Sequence, residues 1–189
     1  MDLPAIVLDN GSETIKAGFS HGSERTKGEH IEGASSSSSS SSPLLSPQVS
    51  FPCLIGTPRL PAIPIENKRY FGDELTRKIT LLRTKRPIVN GAITNFEDVE
   101  AIWEHIFQNV LHVDIAQHRA LLTEIPFNPP SLREKTTEIF FEKFKVPGFY
   151  LEKAPLLSLF TAGLKSGLVI DSGHSQTSIV PIQDGSDPR

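Results

Sequence analysis

The 189-residue chain has a single cysteine, Cys53, which excludes an intrachain disulfide framework and a thiolate cage for zinc. A lone thiol suits a reducing compartment. Basic residues are not in excess: 19 Lys and Arg stand against 22 Asp and Glu, a formal charge of −3. Nucleic-acid and anionic-membrane binders rely on a basic surface, so neither partner is expected. No apolar run approaches the ~20 residues of a membrane-spanning helix. The start, Met1 to Asp9, lacks a basic segment, and its apolar run is too short for a signal peptide. What is present, 38% hydrophobic and 22% charged residues, describes a globular chain of one large domain or two small ones. A soluble intracellular protein is the expectation.

Composition shifts sharply once. His21 to Gln48 is polar and contains the unbroken run Ser35 to Ser42, followed by Pro43 and Pro47. Such a stretch cannot bury enough apolar area to offset its ordering entropy, so a flexible surface insertion is expected over about 21–48. Ser46-Pro47 and the serines offer phosphorylation sites, although a neutral polar insertion is the simpler account.

The rest alternates strand-like and helix-like segments, which predicts an α/β fold. Ala5 to Leu8 reads as a buried strand, Asp9-Asn10-Gly11-Ser12 as a turn, and Thr14 to Phe19 as the returning strand. Thr94-Asn95-Phe96-Glu97 carries a capping-box pattern. Val99, Ile102, Trp103, Ile106, Phe107 and Val110 follow at helical spacing, with Trp103 read as core. Ser131 to Glu134 repeats the capping pattern, and Ile139, Phe140 and Phe144 give that helix its apolar face. Pro155 to Ala162 is a third, short helix with Gly163 as its stop. Arg119 to Leu122 and Gly167 to Ile170 are strand-like.

One feature carries chemistry. Ile6-Val7-Leu8-Asp9-Asn10-Gly11-Ser12 and Leu168-Val169-Ile170-Asp171-Ser172-Gly173-His174 share a pattern. Each is an expected buried strand, an aspartate, a small polar residue and a glycine, followed by a second strand-like run. Glycine lets backbone amides approach phosphate oxygens closely. A carboxylate at the strand end can hold hydrated magnesium. Lys16 can add a point charge. An ordinary hairpin turn accounts for either copy alone. Two copies in similar contexts favour a phosphate site.

The ordered blocks resemble the N-terminal half of actin and actin-related proteins. Asp9-Asn10-Gly11-Ser12 with Lys16-Ala17-Gly18-Phe19 resembles that family's first phosphate loop. Phe51-Pro52, Gly56-Thr57-Pro58-Arg59, Tyr70 to Glu74, and Pro87-Ile88 through Thr94-Asn95-Phe96-Glu97-Asp98 to Trp103 are similar to the blocks that follow. Leu121-Leu122-Thr123-Glu124, Pro126, Asn128-Pro129 and Arg133-Glu134-Lys135 form the most specific match. Asp171-Ser172-Gly173 and Val180-Pro181-Ile182 resemble the second phosphate loop. The resemblance implies an actin-like, ribonuclease H-like α/β fold over residues 1–189, N-terminal half only. The Ser-rich insertion and a smaller excursion over about 49–86 interrupt it. It also implies ATP with magnesium as ligand. Asp9 and Asp171 would flank the ion through water. Asp9, Gly11, Ser12, Lys16, Asp171, Ser172 and Gly173 would form the nucleotide site, and Asp171 and Glu138 would be the catalytic positions.

The departures point away from efficient hydrolysis. Glu13 stands at a family glycine and brings negative charge beside the phosphates. Glu138 is read at the glutamine that orients the attacking water, and an ionised carboxylate cannot donate a hydrogen bond. Ser178 replaces a histidine, His174-Ser175 an Asp-Gly pair, and Asn90 an often methylated histidine. Leu60 to Arg69 is shorter than the family's filament-contacting loop. A half-length cleft would cover one side of a nucleotide, which implies weak binding. The chain is therefore read as a truncated isoform, an incomplete gene model or a half-length paralogue, with a vestigial ATPase site.

The six histidines show no metal-ligand spacing. Arg83, Lys85 and Arg86 are read as a solvated basic face. Three roles remain. The favoured one is an actin-like cytoskeletal protein acting through contacts with actin-family or actin-binding proteins in the cytoplasm. The others are an ATP-binding filament component and a nuclear subunit of a chromatin-remodelling assembly.

Overall fold

Alternating apolar residues bend the first segment into a hairpin. In the computed structural model, which describes residues 3–20, 47–59 and 69–187, strand β1 is Ile6–Asn10 and β2 is Thr14–Phe19. They pair antiparallel from Ile6↔Phe19 to Asn10↔Ile15. Ile6, Leu8, Ile15 and Ala17 enter the core. Strand β3, Val49–Pro52, adds to the outer edge of β2. Next come β4, Ile55–Pro58, helix α1, Gly72–Lys78, and β5, Leu82–Lys85. They form a small layer of their own, with Tyr70, Leu75 and Leu82 buried together. The Ser-rich insertion, apart from Pro47 and Gln48, and the shortened segment Leu60 to Lys68 lie outside the described residues.

The chain then turns through β6, Ile88–Val89, and β7, Ala92–Ile93, joined by Asn90 and Gly91. Both have positive φ, 50° and 73°, as a two-residue hairpin turn requires. Helix α2, Phe96–His105, follows. Its cap is Asn95, whose side chain accepts the Asp98 amide at 3.0 Å, so the helix starts one residue later than the Thr94 capping box predicts. Thr94 instead donates its hydroxyl to the Pro87 carbonyl. Acidic Glu97 and Asp98 in the first turn complement the helix dipole. Asp98 is buried and held by Lys85, with Arg69 paired to Glu97 beside it. The small layer is thereby stapled to the main one. Lys85 stays 52% exposed, as a solvated face implies, while its ammonium reaches Asp98.

Val99, Ile102, Trp103, Ile106 and Phe107 are all buried, as the spacing predicts. Val110 is not. The helix ends in a wider turn, Ile106–Val110, closed by the Leu111 amide on the Ile106 carbonyl. The extra residue rotates Val110 toward solvent. Strand β8, Ala120–Glu124, pairs parallel with β1, and β9, Phe149–Lys153, pairs parallel with β8. The main sheet therefore runs β3-β2-β1-β8-β9.

Helix α3, Pro130–Glu138, crosses between β8 and β9. It starts at Pro130, so Ser131 lies inside the first turn and makes no cap; proline supplies the start because its missing N–H is not needed there. Ile139, Phe140 and Phe144 bury as expected, with Phe140 against Trp103 at 5.0 Å between ring centroids. Each such side chain contributes roughly 1.5–3 kcal/mol on burial. Helix α4, Ala154–Thr161, follows β9 directly and stops at Gly163, φ 72°.

The last hairpin is β10, Gly167–Ser172, and β11, Thr177–Ile182. Val180 and Ile182, with Val169, pack on Leu156 and Leu159 of α4. The opposite face is bare. Leu168 and Ile170 are 64% and 65% exposed, and Ile179 is 57% exposed. The expectation that β10 is buried is thus corrected: one face is covered by α4, and among the described residues none covers the other.

Candidate functional site

In sheets of parallel strands, ligands gather at the strands' carboxyl ends. β1 and β8 both end at one cleft of about 330 Å³, near the lower bound of small-molecule pockets. Its lining joins Asp9 to Thr14 of the first turn to Asp171 through Gln176 of the last hairpin. The two aspartate turns, distant in sequence, therefore face one space. Asp9, Gly11, Ser12, Lys16, Asp171, Ser172, Gly173 and Ser178 all line it.

The turns are equal in length. Residues 11–14 separate the paired Asn10 and Ile15, and residues 173–176 separate Ser172 and Thr177. Gly11 is obligatory, because a Cβ there would sit 2.3 Å from the Thr14 carbonyl oxygen. The second turn is closed by the Gly173 amide on the Gln176 carbonyl, 2.9 Å, and by a 3.0 Å hydrogen bond between the Ser172 and Thr177 hydroxyls.

Asp9 is oriented from below. Thr123 of β8 donates its hydroxyl to Asp9 Oδ1 at 2.7 Å and accepts the Asn10 amide at 3.1 Å. Trp103 donates its indole N–H to Asn10 Oδ1 at 3.2 Å, so the core helix also holds the turn. Lys16 Nζ lies 3.1 Å from Asp9 Oδ2. Both side chains are substantially exposed, so this pair adds little stability. The floor is Glu124, whose carboxylate is buried, takes Arg133 on one oxygen and accepts Asn128 Nδ2 at 3.0 Å on the other. Arg133 Nη2 also donates to the Leu151 carbonyl, tying α3 to β9.

Glu138 does not belong to this constellation. It is exposed on α3, pairs with Lys135 at 3.1 Å and is absent from the cleft lining. Ala154, at the start of α4, lines the cleft. Glu138, expected at the attacking water, is not brought to this lining.

Several participants escape sequence reasoning. Gly91 lines the cleft, and its amide donates to Ser12 Oγ at 2.7 Å. A Cβ there would meet Ile125 Cγ2 at 2.1 Å, so only glycine lets the β6–β7 turn approach so closely. The Asn90-Gly91 pair between short apolar segments is the signal that marks it. Arg86 donates to the Ser12 carbonyl at 2.9 Å and pairs with Glu13 at 2.5 Å, so it is turned inward from the solvated face read for it. Cys53 lies behind the first turn, its amide on the Glu13 carbonyl at 2.7 Å. Burial pushes its thiol up to about 11.

The donor set suits a hydrated divalent cation. Asp9 and Asp171 are two water-accessible carboxylates on one cleft, and magnesium commonly keeps its waters. A family model described as Actin matches residues 1–187. Together that match and the five-stranded mixed sheet are those of a ribonuclease H-like α/β half-domain. The chain belongs to the actin family.

Proposed function

We propose that this chain is an actin-like protein that acts through protein–protein contacts in the cytoplasm and cytoskeleton, and whose cleft binds magnesium-ATP weakly. The observation that carries the reading is the bare outer face of the β10–β11 hairpin. Leu168, Ile170 and Ile179 present an apolar strip there, and such a strip calls for a protein surface to cover it. Asp9 and Asp171 would hold magnesium through water, and the ion would offset phosphate charge. Ser12, Lys16 and the turn around Gly173 would face the phosphates. Ser178, which lines the cleft where the family pattern has a histidine, and Glu138, which is not among the lining residues, support slow or absent hydrolysis.

Co-sedimentation with filaments of purified actin, and capture of purified actin-binding proteins, test the reading. Association that weakens in Ile170→Asp is expected. No association with any of them would overturn it.

A second reading, a working ATP-binding filament component, is favoured by the Thr123 hydrogen bond that orients Asp9. It predicts phosphate release above that of Asp171→Asn. Equal release would remove it.

A further inference from the structure

The first turn carries a carboxylate where a phosphate site would be expected to carry none. Glu13 Oε2 is shielded from water and accepts no hydrogen bond, although the side chain as a whole is 41% exposed, so its contacts are ion pairs. Arg86 Nη2 lies 2.5 Å from it, and His174 Nε2 of the opposite turn lies 3.2 Å from it. Beside this contact Ser175 donates its hydroxyl to Ser12 Oγ at 3.1 Å, a second bond across the same gap. Arg86 also grips the Ser12 carbonyl, so one guanidinium fixes both the backbone and the side chain of the first turn. The two turns are joined directly by these two contacts.

The charges around the cleft give this arrangement a consequence. Its charged or titratable lining residues are Asp9, Glu13, Lys16, Glu124, Asp171 and His174. Lys16 is taken by Asp9, Glu124 by Arg133, and Glu13 by Arg86 and His174. Among the described lining residues no Lys or Arg is left uncommitted. Lys16 is the one Lys or Arg in that lining, so an entering anion gains its ammonium only by displacing Asp9.

We propose that Glu13 is the built-in anion of the cleft, clasping the two aspartate turns and competing with phosphate-bearing ligands for the space between them. The clasp makes Glu13 a specificity determinant: it sets the cleft against polyphosphates while leaving the pair Asp9 and Asp171 open to water. Glu13 and His174 depart from the family pattern at positions that face each other, and their contact makes the two departures one device. The proposal rests on the reading that the cleft takes a magnesium-bound nucleotide.

The test is calorimetric titration of the full chain with magnesium-ATP and with magnesium pyrophosphate, alongside thermal melts of the ligand-free protein. Glu13→Gln keeps the size and removes the charge, freeing Arg86. It should bind both ligands at least about tenfold more tightly than the unaltered chain, while its ligand-free melting temperature falls. Arg86→Ala should move affinity the other way, because Glu13 is then an unmatched negative charge. Glu13→Gly repeats the gain and serves if the glutamine variant folds poorly. A lower melting temperature with unchanged affinity would reduce Glu13 to a structural tie and overturn the competition. If the unaltered chain binds and the Glu13 variants bind equally, the clasp fails and the nucleotide reading survives. If neither the unaltered chain nor any Glu13 variant binds either ligand, both fail.

Discussion

Arg133→Met removes the only charged partner described for a buried carboxylate, and the cost can be worked from the structure. The Glu124 side chain is 4% exposed, and Arg133 sits on one of its oxygens. Methionine also strips the Leu151 carbonyl of its 3.0 Å donor. Breaking one partner from a buried pair typically costs about 3–5 kcal/mol. Arg133 is 48% exposed, so water can partly replace it, and the low end, about 3 kcal/mol, applies. In a chain of this size each kcal/mol moves the melting temperature by roughly 2–4 °C, so a fall of about 6–12 °C is expected. The assay is thermal unfolding followed by circular dichroism. The double variant Arg133→Met, Glu124→Met should recover much of the loss, since it leaves no charge stranded. A single variant that melts with the unaltered chain would refute the reasoning, as would a double variant that melts lower than the single.

Three further outcomes follow from particular contacts. Asn95→Ala deletes the cap of α2 and should cost about 1 kcal/mol, read as a melting shift of a few degrees. Burial raises the Cys53 thiol to about 11, so native protein at pH 8 should react with iodoacetamide far more slowly than the urea-unfolded chain. Burial against Phe71 holds the His105 imidazole below its ordinary pKa, with Glu74 opposing in part. The fold thus favours neutral His105. Its contribution is complete above about pH 6.5, the unfolded value, and is lost as pH falls through the lower folded value. Melts between pH 7.5 and 5 should therefore show a shallower loss in His105→Phe than in the unaltered chain.

Much of the architecture is visible in local sequence. Apolar alternation in Ile6 to Phe19 marks the first hairpin, and the 3.6-residue spacing of Val99 to Phe107 marks the central helix. The two Asp-x-Gly turns are legible because each is a short local pattern. What joins them is not local. Thr123 reaches Asp9 across 114 positions, Gly91 reaches Ser12 across 79, and Ser175 reaches Ser12 across 163. No window of sequence contains both ends of such a bond. Arg86 looks solvated beside Arg83 and Lys85 until the fold brings Glu13 against it. Glu138 shows the converse: a carboxylate in the right chemical class lies on an exposed helix face, outside the cleft lining. The bare face of β10 escapes the same reasoning, because Leu168 and Ile170 have core-like side chains and only the packing shows which face α4 covers.

The central claim is that two aspartate turns form one magnesium-nucleotide cleft. Calorimetric titration with magnesium-ATP tests it most directly, on the unaltered chain and on Asp9→Ala and Asp171→Ala. The account predicts weak, saturable binding that disappears in both variants, because the two carboxylates serve one ion. Binding that survives either substitution, or no saturable binding in the folded unaltered chain and in Glu13→Gln alike, would contradict it.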